Sequence, residues 1–459
     1  MEHPNIVILA EIVKKILMKI PQRSQLVKLQ QVSKVWKQEC EAILKSLEWE
    51  TFCKKNIDEF SLCSVITTTY LKMQIKGYYS IGDQKLWKTI FDCCGNWHQM
   101  YDDKLYILST DNKWTPNFLG DKDEFITCLD VWSSFIAIGS NQGNVFLFDA
   151  DMMINPFIII PSPRDFVKIV KFWYTEHGKL LLIRSYIHTS RQVSLKFWDV
   201  NRRMEVNTLK QNFATKALCV GTANYFYGTA ALYFFRCTPS SCYNKELLTS
   251  YYYLSMQDSQ SVRAMTSFGS MTYVLVTGRS SIKIFTIKDT FDMKKKSSLE
   301  IQTPRRLPNL SEKMTADTRF YVFEDETVIC IGQNLLYFII KNSKCWISHN
   351  MEATFRRKVT SVMYHADLLL IGLDQGILYM YHVNRSREFN SFDFFKNSVP
   401  RIINFQCDTP IVDFAVSQLS ENPIIIAASE KKIWKICSLE ITSPYREIVR
   451  IEGLNHFYK

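Results

Sequence analysis

The side chains of this 459-residue chain that could do chemistry are cations rather than catalysts. Arg356-Arg357-Lys358 sets three cations in a row. Adjacent charges focus potential better than isolated ones, and arginine offers a planar fork for bidentate contact with phosphate or carboxylate. Arg164, Lys168, Arg263, Arg279, Lys431 and Lys432 are further candidates of the same kind. The formal net charge is +11, and Met1–Phe60 holds ten basic and eight acidic residues, so most of the excess lies downstream. Such an excess attracts acidic or phosphorylated peptides, or nucleic acid. Lys294-Lys295-Lys296, ahead of Ser297-Ser298, reads as a solvated loop.

Catalytic and metal-binding patterns are missing. There is no phosphate-binding glycine loop, no Gly-x-Ser-x-Gly elbow and no His-Glu-x-x-His. The eight histidines, among them His177, His188, His349 and His365, are scattered and read as loop or core residues. No Cys-x-x-Cys pair occurs, and the adjacent Cys93-Cys94 suits neither zinc nor an ordinary disulfide. Asp130 and Asp367 lie near predicted turns, where aspartate bonds its own backbone. No catalytic residue, metal or cofactor is therefore expected, and the chain does not read as an enzyme. Thirteen cysteines without a signal peptide read as reduced thiols of a cytoplasmic and/or nuclear protein. The first apolar run is broken by Glu11, Lys14 and Lys15, and no run approaches the ~20 residues of a membrane span.

The candidate cations must be held by elements, and the elements repeat. "FIAIGSNQGNVFLFDA" at Phe135–Ala150 returns at Leu368–Val383 as "LLLIGLDQGILYMYHV", with Ile138/Ile371, Gly139/Gly372, Gln142/Gln375 and Gly143/Gly376 in register. Each copy is two apolar runs about a polar turn, the pattern of a β-hairpin. Looser copies close on Trp198, Phe235, Phe285, Phe338 and Trp434, as these two do on Phe148 and Tyr381. That recurrence, roughly every 40–50 residues, is the period of a propeller blade. One more apolar strand precedes most hairpins: "FITCLDV", "VKIVKFW", "VRAMTSF", "VTSVMYH" and "PIVDFAV".

Before about Tyr101 the apolar period is helical. Ile12, Val13, Ile16, Leu17 and Ile20 form one stripe, with Pro21 at its end. Ser24 can cap a second helix carrying Leu26, Val27 and Leu29. Val32, Val35, Trp36, Cys40, Ile43, Leu44 and Leu47 mark a third. Three short helices have little core of their own and need a partner for the remaining apolar surface. Leu86, Trp87, Ile90 and Phe91 predict another helix ending near Gly95, with Trp87 and Trp97 packed between bundle and propeller.

The segment "LAEIVKKILMKIPQRSQLVKLQQVSKVWK" resembles the F-box, through Leu9, Glu11, Ile12, Ile16, Leu17, Ile20, Pro21, Leu26, Val32, Lys34, Trp36 and Lys37. Trp49 and Phe52 in "LEWETFCKKN" resemble the family's closing segment. Ala10 stands where the family has proline, and Ser24 where it often has an acidic residue. Tyr101–Lys459 resembles WD-repeat propellers in degenerate form, with one Trp-Asp pair, Trp198-Asp199, and Phe148-Asp149 as a near form. With no Gly-His dipeptide, aromatic packing must replace the family's hydrogen-bond network.

The expected architecture is thus α+β and multidomain: an F-box-like helical bundle over residues 1–56, a helical linker over 57–103 and an all-β WD-repeat-like propeller over 104–459. Seven blades are expected, with "KLYILST" at Lys104–Thr110 completing the last one; eight is the alternative, using "REIVRI" at Arg446–Ile451. The resemblance to F-box/WD-repeat proteins implies a substrate receptor of a Skp–cullin–F-box ubiquitin ligase. Leu9, Ile12, Ile16, Leu17, Ile20, Pro21, Leu26, Val32 and Trp36 would dock a Skp-type adaptor, and through it a cullin scaffold. In this family the loops that carry the candidate cations share one face. Arg263, Arg279, Arg356, Arg357 and Lys358 would then bind a protein substrate, acidic or phosphorylated, with nucleic acid disfavoured and no membrane role. The alternative is a non-catalytic WD-repeat scaffold, binding protein or RNA without a ligase role.

Overall fold

The computed structural model describes residues 13, 32–45, 48–57, 61–62, 65–66, 84–102, 104–109, 119, 123–132, 134–150, 153, 155–161, 165–175, 178–187, 192–211, 215–220, 225–229, 233–237, 251–253, 261–268, 271–278, 281–290, 298–301, 305–308, 314, 318–322, 326–331, 335–340, 346–383, 394–419 and 422–438. Within them lie seven antiparallel sheets in chain order, six of four strands and one of five. Their first strands, here the inner strands of blades 1 to 7, are Ile126–Trp132, Asp165–Thr175, Thr215–Val220, Ser261–Phe268, Arg319–Val322, Val359–His365 and Ile411–Leu419. The expected hairpins follow each of them, and the recurring aromatics sit on the third strands. The segment "REIVRI" lies outside the described residues.

The ring closes as expected. Strand Leu105–Ser109 pairs with Ile433–Ser438, Leu105 opposite Ser438 and Ser109 opposite Trp434, so the chain's early strand becomes the outer strand of blade 7. Closure removes the free edge that an open array would leave. Inner strands of neighbouring blades pack side by side, and charges staple them. Asp130 on blade 1 accepts from Lys171 Nζ at 2.7 Å and from the Phe172 N–H at 2.8 Å on blade 2. Asp130 is therefore a mid-strand staple and not the turn residue its sequence suggested. Arg319 on blade 5 donates to Asp413 of blade 7 at 2.7 Å and to the Val362 carbonyl of blade 6 at 3.1 Å. The other Asp413 oxygen accepts from the Leu129 N–H of blade 1 at 3.3 Å. One carboxylate thus ties three blades.

Asp413→Ala is expected to cost about 2 kcal/mol, below the usual penalty for breaking a buried ion pair, because two fifths of the Arg319 side chain is exposed to water. Urea unfolding checks this. A double-mutant cycle with Arg319→Ala should return a coupling above about 1 kcal/mol.

Ahead of the ring the described residues include the helices α1 (Lys34–Lys45), α2 (Trp49–Asn56) and α3 (Gln84–Asp102). The helix α3 does not stop near Gly95 as predicted. It runs on to Asp102, because its apolar stripe continues through Trp97 and Met100, both fully buried. A mid-helix glycine costs about 1 kcal/mol, and burying a tryptophan and a methionine outweighs it. Val13, Cys40, Trp49, Cys53, Trp87 and Trp97 share one core with Leu368, Met380, Phe414 and Trp434 of blades 6 and 7. Trp97 reaches the propeller as expected, its ring 4.7 Å from that of His365. Trp87 belongs to that same core; Cys53 Sγ donates to its carbonyl at 3.5 Å, and Lys54 Nζ lies 5.4 Å from its ring.

Candidate interaction face

Antiparallel order assigns each loop to a face. The loops leading into inner strands and the turns between second and third strands lie on one side, here the upper face. The turns between first and second strands lie on the lower face. The upper face carries a repeated device: the register shifts at the start of the inner strand in six blades, around Thr127, Lys168, Lys216, Arg263, Thr360 and Val412. A β-bulge leaves one residue out of the ladder and re-aims its side chain. The Thr127 hydroxyl uses this to reach the next blade, 2.6 Å from the Val167 carbonyl. Lys168 and Arg263 hold the same bulge position on blades 2 and 4, at the mouth of the ring, and the backbone register of blade 3 puts Lys216 at the equivalent position. Sequence reasoning picked Lys168 and Arg263 and missed Lys216. Its signal was present, a cation at the second, third or fourth residue of three consecutive inner strands.

The candidate cations differ in what they already hold. Arg263 Nε donates to Thr277 Oγ1 at 2.9 Å. Arg357 donates to Gln375 Oε1 within blade 6. Lys431 donates to the Glu124 carbonyl at 2.5 Å, joining blade 7 to blade 1. Arg356 and Lys358 are exposed, and their side-chain cations meet no partner among the described residues. Arg164 and Arg279 lie outside the described residues.

A buried network on the same face went unread in the sequence. Glu124, 2 % exposed, accepts from Ser140 Oγ at 2.5 Å and Asn144 Nδ2 at 2.8 Å. The Asn144 N–H donates back to Ser140 Oγ at 3.1 Å. This satisfied cluster locks the upper turn of blade 1 by hydrogen bonding, where aromatic packing alone was expected.

On the lower face, Asp367 joins helices to ring. It occupies the blade 6 hairpin His365-Ala366-Asp367-Leu368, where Ala366 and Asp367 are both left-handed (φ 46 and 64). One oxygen accepts from Tyr364 OH at 3.0 Å and from Ser61 Oγ; the other lies 3.0 Å from His98 Nε2 of α3. Nearby, Arg401 donates to the Met100 and Tyr101 carbonyls at the end of α3, at 3.1 and 2.8 Å. Ser61, His98 and Asp367 do not form a nucleophilic triad. That chemistry needs the imidazole between hydroxyl and carboxylate, whereas here the carboxylate stands between the other two.

Of the residues expected to meet an adaptor, Val32 and Trp36 are described; Leu9, Ile12, Ile16, Leu17, Ile20, Pro21 and Leu26 lie outside the described residues. The Trp36 N–H donates to Ser33 Oγ at 3.3 Å, the bond of an N-cap, and its ring is half-buried against the shared core. Val32, just ahead of that cap, is 58 % exposed. Among the described residues no group of histidine, cysteine and carboxylate side chains could hold a metal ion, and no helix is long and apolar enough to cross a membrane.

No family model matches the chain, and no curated protein matches it. A solved structure titled "Crystal Structure of Mitotic Checkpoint Complex" contains a chain similar to this one at 12 % identity, over 73 % of this chain and 94 % of that chain, with a TM-score of 0.44. That likeness is remote, and the strand pairing described above defines the propeller-like ring without it.

Proposed function

We propose that this chain is the substrate-recognition subunit of a cullin-type ubiquitin ligase. Its amino-terminal helices dock a Skp-type adaptor, and its propeller-like ring captures a protein on the upper face through cations that include Arg263, Arg279, Arg356, Arg357 and Lys358. The observation that carries the reading is Val32. In the segment that resembles the F-box, its apolar side chain is left 58 % exposed beside a half-buried Trp36. An exposed valine at the head of a helix whose Val35 and Trp36 are half-buried and whose Cys40 is buried fits a contact completed by a partner.

The chain would do no bond chemistry. A captured protein is held near a ubiquitin-loaded enzyme, and the gain is effective concentration. The core shared by helices and ring supports this, since a fixed joint keeps that distance short.

Val32→Asp is the sharper of two tests. Val32 is exposed, so the change should leave the unfolding midpoint unmoved while placing an unpaired charge in the contact, reducing co-purification of the adaptor at least tenfold, about 1.4 kcal/mol or more. Leu17→Asp should abolish it. Wild-type binding that both variants retain places the interface elsewhere. If the wild-type full chain brings down no adaptor, the scaffold reading replaces this one.

A further inference from the structure

The loops of blade 6 on the upper face gather three features found together there. The first is backbone strain. Arg356, Gln375 and Gln406 are all left-handed without being glycine (φ 53, 64 and 53), and all three side chains are exposed. Each such residue costs stability, and strain of this kind collects at functional sites. The second is charge. Arg357 is held by Gln375, and the Asp374 N–H holds the Lys358 carbonyl at 3.0 Å, so Arg356 and Lys358 are presented on a braced loop. The third is an aromatic shelf. The short helix α4 (Met351–Phe355), capped by Asn350, sets half-buried Phe355 5.1 Å from Tyr379 and 5.6 Å from Phe395.

We infer that this lip of blade 6, apart from the mouth of the ring, is a docking surface for a short acidic peptide segment bearing an aromatic or aliphatic side chain. Arg356 and Lys358 meet the carboxylates or phosphates, and the Phe355–Tyr379 shelf takes the apolar side chain. Charge complementarity selects the occupant. Glu352 and Asp374 interrupt the positive surface, which disfavours a long polyanion such as RNA and suits a few separated negative groups. The bulge cations are a poorer fit to the same role, because Arg263 is already bonded to Thr277. The inference rests on the capture half of the proposed function and is independent of adaptor docking.

Arg356→Gly separates function from fold. Glycine removes the charge and relieves the left-handed strain, so the thermal midpoint should not fall. The full-length protein is titrated against an array of labelled 12-residue peptides rich in Asp and Glu, each with one Phe or Leu, with phosphoserine versions and a 20-nucleotide RNA as separate arms. The expected result is acidic-peptide binding that drops about tenfold in Arg356→Gly and again in Lys358→Ala, as for loss of a charge-assisted contact. Lys168→Ala, at an exposed bulge cation at the mouth of the ring, should change it less than about twofold. The Glu and phosphoserine arms tell carboxylate from phosphate as the group read. The inference is overturned if no acidic peptide binds the wild-type protein, if only RNA binds, or if Lys168→Ala is the variant that loses binding. Adaptor co-purification from the same preparations should be unchanged in every variant, so failure here is distinct from failure of the ligase reading.

Discussion

Replacing Asp367 with alanine is expected to cost about 3 kcal/mol, the penalty for removing a buried carboxylate on which several donors converge. The side chain is 11 % exposed and serves Tyr364, Ser61 and His98 at once. Its loss strands a tyrosine hydroxyl beneath α3 and removes the polar tie between helices and ring. Two controls isolate the carboxylate. Asp367→Asn keeps the shape and one acceptor and should cost about half as much. Asp367→Gly loses the same bonds as alanine but relieves the left-handed backbone, so it should be milder than alanine by about 1 kcal/mol. Urea unfolding gives the magnitudes. Limited proteolysis locates the effect, with faster cleavage around α3 in the alanine variant. An alanine cost below 1 kcal/mol would show that the shared apolar core, and not the carboxylate, holds the joint.

What could be read from the sequence, and what could not, follows from the range of each signal. Hairpins are local, so the repeat at Phe135–Ala150 and Leu368–Val383 and the strands ahead of each hairpin were legible. Lys104–Thr110 could be assigned to closing the ring because a leftover strand in a cyclic array has one place to go. Gly95 misled because glycine is a strong local stop signal, while the burial of Trp97 that overrides it depends on blade 6, some 270 residues away. Asp130, Asp367 and Asp413 look alike in sequence, as polar residues beside apolar ones. Their roles come from partners 41, 269 and 94 residues distant. The candidate cations show the same limit. Nothing local separates Lys431, its ammonium spent on the carbonyl of Glu124, from Lys358, whose ammonium meets no partner among the described residues. The Glu124–Ser140–Asn144 cluster stayed hidden because its three residues converge only once the turn is folded.

Acidification should loosen the joint between helices and ring, through His365. Burial against Trp97 pushes its imidazole down to about 4, with the nearby Asp367 carboxylate opposing the shift but not reversing it. In the unfolded chain the same group titrates near 6.5. Between these values the unfolded state carries a proton on this residue that the folded state does not. Unfolding is therefore favoured as pH falls, and the slope of stability against pH is positive. The contribution is fully present above pH 6.5, declines through the window and levels off below about pH 4. At 1.36 kcal/mol per pH unit the whole effect is about 3 kcal/mol. Carboxylates elsewhere also titrate in this range, so the test is a difference. His365→Phe fills the same ring space and carries no proton. Stability of the wild type minus that of His365→Phe should fall by about 2 kcal/mol between pH 7 and pH 5, the portion of the window crossed there. Parallel curves for the two proteins would mean that His365 is protonated without cost in the fold, and that its burial between blade 6 and Trp97 does not exclude water from the joint.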